Sequence, residues 1–247
     1  MLFKKKKKQV DKSGVQKFGG ELDFPTAEAY NLLRTNLSFA FPGKTDGKII
    51  GVTSSSPSEG KSFTVINLSY SLAKNGHKVL ILDADMRKPT IAEKLHLSFA
   101  PGLSNLLADP NADYIHHKIA LHDNISVLTS GDIPPNPSEL IGSAEMQRNL
   151  EEFAKIYDYI IVDLPPIMEV TDALVMSKYL DGIVMVVMHE QSHRSEIKET
   201  VRKLQFANAR ILGFVYNGFS TASKRYYYKK RYYRYYRKKE TQNKKEK

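Results

Sequence analysis

The sequence predicts an α/β domain built on a mainly parallel sheet with helices on both faces. Three observations carry this. Short, nearly continuous apolar runs rich in Val and Ile recur along the chain, among them KIIGVTS, KVLILD and YIIVD. Segments with helical spacing of apolar residues separate them. A strand buried on both faces reads as a continuous run, not an alternating one, and that is how a parallel sheet between two helical layers is written.

The elements follow in order. Residues 1–20 are rich in Lys and poor in apolar side chains, which reads as a flexible basic arm. Pro25 and Thr26 open an amphipathic helix with Leu32, Leu33 and Leu37 on one side and Glu28 and Arg34 polar. Residues 48–54 are the first strand. A helix over 60–74 turns Val65, Leu68, Leu72 and Ala73 inward. Strands are predicted at 78–83, 124–129 and 159–163, with a helix over 144–156 before the last of these. A strand over 180–188, a helix over 196–206 and a strand over 211–217 complete the pattern. No repeat of fixed period is present. The reading is one domain, residues 21–220, followed by a basic tyrosine-rich tail, residues 221–247.

Composition excludes several functions. A chain of 247 residues suits one large α/β domain. The absence of cysteine rules out disulfides, a zinc–thiolate site and a cysteine nucleophile. The longest strongly apolar run, residues 183–188, is far shorter than the roughly 18–20 residues that span a bilayer. Lysines open the chain but no apolar signal segment follows them. A soluble cytoplasmic protein is expected. The net charge of +10 is unevenly spread: residues 224–247 hold twelve Lys/Arg against two Glu, and residues 1–12 six Lys against one Asp. The segment between them is therefore mildly acidic, with a net charge of −5. Basic ends of this kind meet polyanions: nucleic acid, anionic lipid or phosphate.

The first motif follows the first strand. Ser54, Ser55, Ser56, Pro57, Ser58, Glu59, Gly60, Lys61 and Ser62 lead into a helix, the strand–loop–helix context of a Walker A phosphate loop. Such a loop wraps phosphate oxygens with backbone N–H groups, helped by the helix N-terminus. Ser56, Pro57, Ser58, Glu59, Gly60, Lys61, Ser62 and Phe63 are the predicted nucleotide-binding residues. Gly60 allows close approach, Lys61 reaches the β- and γ-phosphates, and Ser62 offers its hydroxyl to Mg²⁺. Ser55 stands where the pattern has its first glycine. A plain Ser/Pro loop before a helix is the alternative.

Two further strands end in carboxylates. Asp83 and Asp85, one residue apart, straddle the carboxyl end of the second strand and are followed by Arg87, Lys88 and Pro89. Asp163 ends the fourth and is followed by Leu164, Pro165 and Pro166. The carboxyl ends of parallel strands are where α/β folds bind ligands. A carboxylate after a β-branched run is a Walker B signal and holds Mg²⁺ directly or through water. Each Asp taken alone could equally cap the next helix.

Together these three motifs resemble those of the bacterial tyrosine kinases of capsule and exopolysaccharide operons, a branch of P-loop NTPases similar to the MinD and ParA ATPases. The resemblance spans residues 25–236. The partitioning ATPases carry a further lysine where this chain has Ser56, and the kinases often carry glycine at Ser58. The resemblance implies a P-loop NTPase with ATP and Mg²⁺ as cofactors, and protein-tyrosine kinase activity directed at a C-terminal tyrosine cluster. It implies metal contacts from Ser62, Asp85 and Asp163, and proton acceptance by Asp83, with Lys61 completing the catalytic set. Arg87 is expected to steady either the phosphates or the Asp-x-Asp loop. Asn217 either reads the adenine edge or merely turns the chain before Gly218. The family's partners are a transmembrane polysaccharide co-polymerase that supplies an activating segment and a cognate phosphotyrosine phosphatase. Membership also implies ring-shaped homo-oligomers, recruited to the inner face of the cell membrane. The family's interface motif Glu-x-x-Arg-x-x-Arg reads Glu28, Asn31 and Arg34 here, with the middle arginine missing.

The tail brings together Tyr226, Tyr227, Tyr228, Tyr232, Tyr233, Tyr235 and Tyr236 among Lys and Arg. No helical or strand period puts them on one face, so they are not a core. On composition they could stack single-stranded nucleic acid. By resemblance they are the phosphorylation sites, and no nucleic-acid partner is expected. The basic ends imply a weak contact with anionic membrane. A non-kinase P-loop ATPase that positions cargo through its basic ends is the alternative. His116, His117 and His122 lack a carboxylate partner in register and read as solvated side chains, not a metal site. The Pro134, Pro135 and Pro137 segment reads as a loop before a turn at Ser138, Glu139 and Leu140.

Overall fold

A computed structural model describes residues 17–109, 117–119 and 121–218. The helices are α1 (Phe24–Ala40), α2 (Lys61–Lys74), α3 (Ile91–Leu95), α4 (Leu103–Ala108), α5 (Pro137–Ile141), α6 (Ala144–Ile156), α7 (Asp172–Met176) and α8 (Arg194–Phe206). The strands are β1 (Lys48–Ser54), β2 (Val79–Asp83), β3 (His117–Lys118), β4 (Ile125–Leu128), β5 (Tyr159–Asp163), β6 (Gly182–Met188) and β7 (Ile211–Asn217).

Among the described residues the strands form one sheet in the order β3-β4-β2-β5-β1-β6-β7. All neighbours are parallel except the short edge pair β3–β4. The central strands are buried on both faces, and successive residues serve opposite layers. Ile50 and Val52 of β1, Val79 and Ile81 of β2 and Ile161 of β5 pack under α1 and α2 with Leu37, Val65, Leu68 and Leu72. Leu80 and Leu82, with Ile160 and Val162, pack on the other face with Leu103, Leu150, Phe153 and Leu204. Each such Leu or Ile contributes about 1.5–3 kcal/mol by leaving water. This double burial is why the strands read as unbroken apolar runs.

α1 departs from expectation at one residue. Asp23 caps it, accepting the Thr26 N–H at 3.1 Å, and Leu37 is buried, but Leu32 is 62% exposed. Leu33 and Leu37 lie four residues apart on one face, whereas Leu32 is a 100° turn away from Leu33. Glu28 and Arg34 do not pair. Asn31 lies between them, donating to Glu28 at 2.9 Å and accepting from Arg34 at 3.3 Å and from Ser71 Oγ at 2.9 Å. Arg34 also donates to the Ser71 carbonyl at 3.0 Å. The motif residues thus bind α1 to α2 within the chain.

Among the described residues, packing onto the domain begins at Phe18, inside the segment read as an arm. Its ring meets Phe63 at 5.6 Å, and the Gly19 N–H donates to Asn67 Oδ1 at 2.8 Å. The sequence reading has no counterpart for α3, α4, α7 or β3. These elements are two to six residues long, too short to display a period. Residues 138–140, read as a turn, lie in a single helical turn, Pro137–Ile141, started by Pro137. His117 is not a solvated side chain: it pairs with Val127, and its Nε2 is buried without a partner among the described residues. His122 Nδ1 accepts the Asn124 N–H at 3.1 Å. His116 lies outside the described residues. No described helix is long and apolar enough to cross a membrane.

Candidate active site

Strand order assembles the site. β5 lies between β1 and β2, and the register places Asp163 opposite Val52 on one side and Asp83 on the other. The loop leaving β1 therefore meets the two carboxylate-bearing strand ends directly. Ser62, in the first turn of α2, donates its hydroxyl to Asp163 Oδ2 at 2.5 Å. Thr90 Oγ1 lies 2.7 Å from Ser62 Oγ and donates to it. Three sequence-distant segments thus converge on one hydroxyl.

The loop has the backbone of a phosphate cradle. Ser58 and Gly60 have left-handed φ angles of 61° and 94°. At Gly60 a Cβ would also lie 2.0 Å from Asn217 Nδ2, so a side chain there would displace the amide that braces the loop. Among the described residues, the N–H groups of Gly60, Lys61, Ser62 and Phe63 make no hydrogen bond, and the first within α2 runs from Thr64 to Gly60 at 2.9 Å. These unpaired donors and the positive end of the helix dipole favour an anion. Lys61 is 9% exposed and makes no ion pair within 4 Å among the described residues. Its ammonium acts on Asp85 and Asp163 at longer range.

The outside of the loop is held by α8 and the residues just before it, a contact for which the sequence reading has no counterpart. Thr200 donates to Ser55 Oγ at 3.1 Å, Ser56 Oγ donates to Glu196 at 2.9 Å, and Gln191 donates to the Pro57 carbonyl at 3.2 Å. The buried Glu59 carboxylate accepts the Ser56 N–H at 3.2 Å and the Ser192 hydroxyl. The signal for α8 was visible: Glu196 and Thr200 are four residues apart and so share a face. Its target was not.

Burial dominates the electrostatics. It pushes the Asp163 carboxyl up to about 7, against the opposing pull of Lys61 and of the Ser62 hydroxyl. It raises Asp83 well above the carboxylate range, reinforced by the charges of Asp163 and Asp85. Burial also raises Asp85, partly offset by the Lys88 N–H and by Lys61. Asp163 Oδ1 is buried with no hydrogen-bond partner among the described residues. Crowded carboxylates, an orphaned oxygen and an adjacent hydroxyl fit a hard divalent cation. No described group of three or more His, Cys, Asp and Glu forms a complete metal cage. Mg²⁺ is ordinarily held without one, by one or two side chains plus phosphate oxygens and water.

Several predicted site residues fall elsewhere than expected. Phe63 turns its ring into the α1 contact, 5.6 Å from Phe18 and 6.4 Å from Tyr30, so only its backbone N–H faces the cradle. Arg87 does not reach the phosphate loop. It donates through Nε and NH2 to the buried Asp172 at 2.8 and 3.1 Å, and to Ser138 Oγ at 3.3 Å. The fork steadies the Asp-x-Asp loop, because an Arg–carboxylate pair is satisfied best in two-point geometry. Asn217 braces the cradle: Nδ2 donates to the Glu59 carbonyl at 3.2 Å, and Oδ1 accepts the Gly218 N–H at 2.8 Å. Asp83 has no exposed surface, and its oxygens accept the N–H groups of Asp85 at 3.2 Å and Ile91 at 3.3 Å. Asp85 is the more open of the two, at 7% exposure. The tyrosines Tyr226 to Tyr236 lie outside the described residues.

Comparison with known proteins agrees with this fold. Residues 47–212 match the family described as AAA domain. The tyrosine-protein kinase YwqD of Bacillus subtilis (strain 168) is 35% identical over 192 residues, covering 78% of this chain and 81% of that one. The kinase domain of the Escherichia coli tyrosine kinase ETK superposes with a TM-score of 0.72 at 32% identity, covering 79% of this chain and 78% of that one. The chimerical protein CapA2B2 superposes with a TM-score of 0.75 at 36% identity, covering 83% and 92%.

Proposed function

Because the chain belongs to the bacterial tyrosine kinases and is itself a protein-tyrosine kinase, we propose that it transfers the γ-phosphoryl group of ATP, with Mg²⁺, to the tyrosines of its own C-terminal cluster. The observation that carries this reading is the Ser62–Asp163 contact at the foot of the cradle, beside an unpaired Asp163 oxygen and the Lys61 ammonium. Ser62, Asp163 and Asp85 would hold Mg²⁺. The ion neutralises charge on the transferred group when bound.

The remaining steps belong to the chain. The unpaired N–H groups of residues 60–63 bind phosphate oxygens, and Lys61 offsets the charge that builds on them. Burial of the loop by α8 holds these donors in place before the nucleotide arrives. A tyrosine hydroxyl, pKa about 10, is neutral at pH 7 and must lose its proton as it attacks. Asp83 would take that proton, its affinity raised by burial and by its two acidic neighbours, while Asp85 is kept for Mg²⁺. A loose transition state asks for that proton late, which suits a carboxylate.

The described chain ends at the site it would serve. β7 closes at Asn217, whose side chain touches the cradle at Glu59, so the last described residues lie beside the nucleotide site. We propose that the cluster is phosphorylated between subunits of a homo-oligomer, under a transmembrane polysaccharide co-polymerase that activates the kinase at the inner membrane face. A phosphotyrosine phosphatase would reverse it. The output would be control of capsular or exopolysaccharide synthesis. Incubation with γ-labelled ATP and Mg²⁺, followed by phosphoamino-acid analysis, tests the central claim. Label in phosphotyrosine of the tail is expected; ATP hydrolysis without protein label would refute it.

A further inference from the structure

Thr90 stands at the N-cap of α3, where a threonine hydroxyl ordinarily accepts a backbone N–H of the first turn. Here it makes no such bond. It donates instead to Ser62 Oγ at 2.7 Å, while Ser62 donates onward to Asp163 Oδ2 at 2.5 Å. The next residue serves the other carboxylate, with the Ile91 N–H on Asp83 Oδ2 at 3.3 Å. Residues 90 and 91 therefore hold both the hydroxyl and the buried acid of the site from one short turn.

We infer that Thr90 is a positioning residue for the metal step: its hydroxyl fixes the rotation of Ser62 so that one lone pair of Ser62 Oγ stays free for Mg²⁺. A hydroxyl oxygen has one proton and two lone pairs. In Ser62 the proton goes to Asp163, and one lone pair receives the Thr90 proton. With two of its three directions fixed, the third is aimed. Without Thr90, the Ser62 hydroxyl would still reach Asp163 but would rotate about that bond, and the lone pair would meet the cation in a fraction of its orientations. Groups that orient a metal ligand affect affinity nearly as strongly as ligands do. The inference rests on the assignment of Ser62 and Asp163 to Mg²⁺ and adds a residue to it.

The test uses the full chain and ADP carrying a fluorescent label, titrated in EDTA and in Mg²⁺. The readout is the factor by which Mg²⁺ tightens ADP binding. Thr90→Val keeps the shape and removes the hydroxyl, and is expected to cut that factor about five- to tenfold with EDTA affinity unchanged. Thr90→Ser is expected to keep the wild-type factor. Thr90→Ala, which adds no bulk at the site, repeats the measurement should the valine variant not fold. Wild-type factors in the valine and alanine variants would overturn the inference. So would an equal loss in EDTA and Mg²⁺, or a serine variant as impaired as the valine. A wild-type protein whose ADP binding ignores Mg²⁺ would instead overturn the metal assignment itself.

Discussion

Asp83 and Asp163 stand opposite each other in the register of neighbouring parallel strands, and neither has more than 1% exposure. Two buried carboxylates so placed cannot both ionise cheaply, so the pair retains a proton near neutrality until a cation replaces it. Several consequences of the site turn on that relationship.

Metal-free stability should fall as pH rises from about 4 to about 7. Asp163 is raised from 3.8 to about 7 in the folded chain, so over that window the folded state holds a proton the unfolded state has released. Stability is then lost with rising pH, at up to about 1.4 kcal/mol per pH unit for one proton, and the share carried by Asp163 levels off above its folded value. Urea midpoints in EDTA across this range should show Asp163→Asn with a flatter profile than wild type. Parallel profiles would refute the shared proton.

Lys61→Met should abolish tyrosine labelling without unfolding the protein. Methionine matches the length of the buried stem and removes only the charge. Loss of one preorganised charge at a developing anion costs about a hundredfold or more in rate. Label incorporation and a thermal melt on the same preparation decide it. A normally folded mutant that still labels on tyrosine would overturn the phosphate-loop assignment.

Asp172→Ala should destabilise the domain by about 1–3 kcal/mol, because Ser138 and Arg87 lose a buried acceptor together. Arg87→Lys should cost less but still slow phosphoryl transfer, since a lysine cannot reproduce the two-point contact that steadies the Asp-x-Asp loop. Chemical denaturation and labelling rates read the two effects separately. Wild-type stability of Asp172→Ala would show that the network is not structural.

Replacing the seven tyrosines Tyr226, Tyr227, Tyr228, Tyr232, Tyr233, Tyr235 and Tyr236 by Phe should remove most phosphotyrosine and leave ADP affinity unchanged. In the intact chain, five to seven phosphates would add roughly −8 to −14 of charge. That cancels or inverts the +10 carried by residues 224–247. Binding to anionic vesicles should therefore weaken on phosphorylation, and salt should weaken it in the unmodified protein. Labelling near wild type in the Phe variant would move the substrate elsewhere. Equal vesicle binding in both phosphorylation states would refute the charge switch.

The sequence by itself determined the layers, six of the seven described strands and the loop chemistry. Continuous Val/Ile runs are forced by burial on two faces, and α6, β1, β5 and β7 begin and end where their patterns do. Gly60, Lys61, Ser62 and the three aspartates were legible because phosphate and metal chemistry demands those residue types at strand ends. Only the tertiary structure decided what each does with its remaining valences. Arg87 turned to Asp172, Phe63 to Phe18, Asn217 to Glu59 and Thr90 to Ser62, across separations of 28 to 158 residues for the hydrogen-bonded three. Periodicity records which face of an element is buried. It carries no information about which distant polar group completes a hydrogen bond there, because that partner is chosen by strand order, and strand order is settled only when the whole sheet packs.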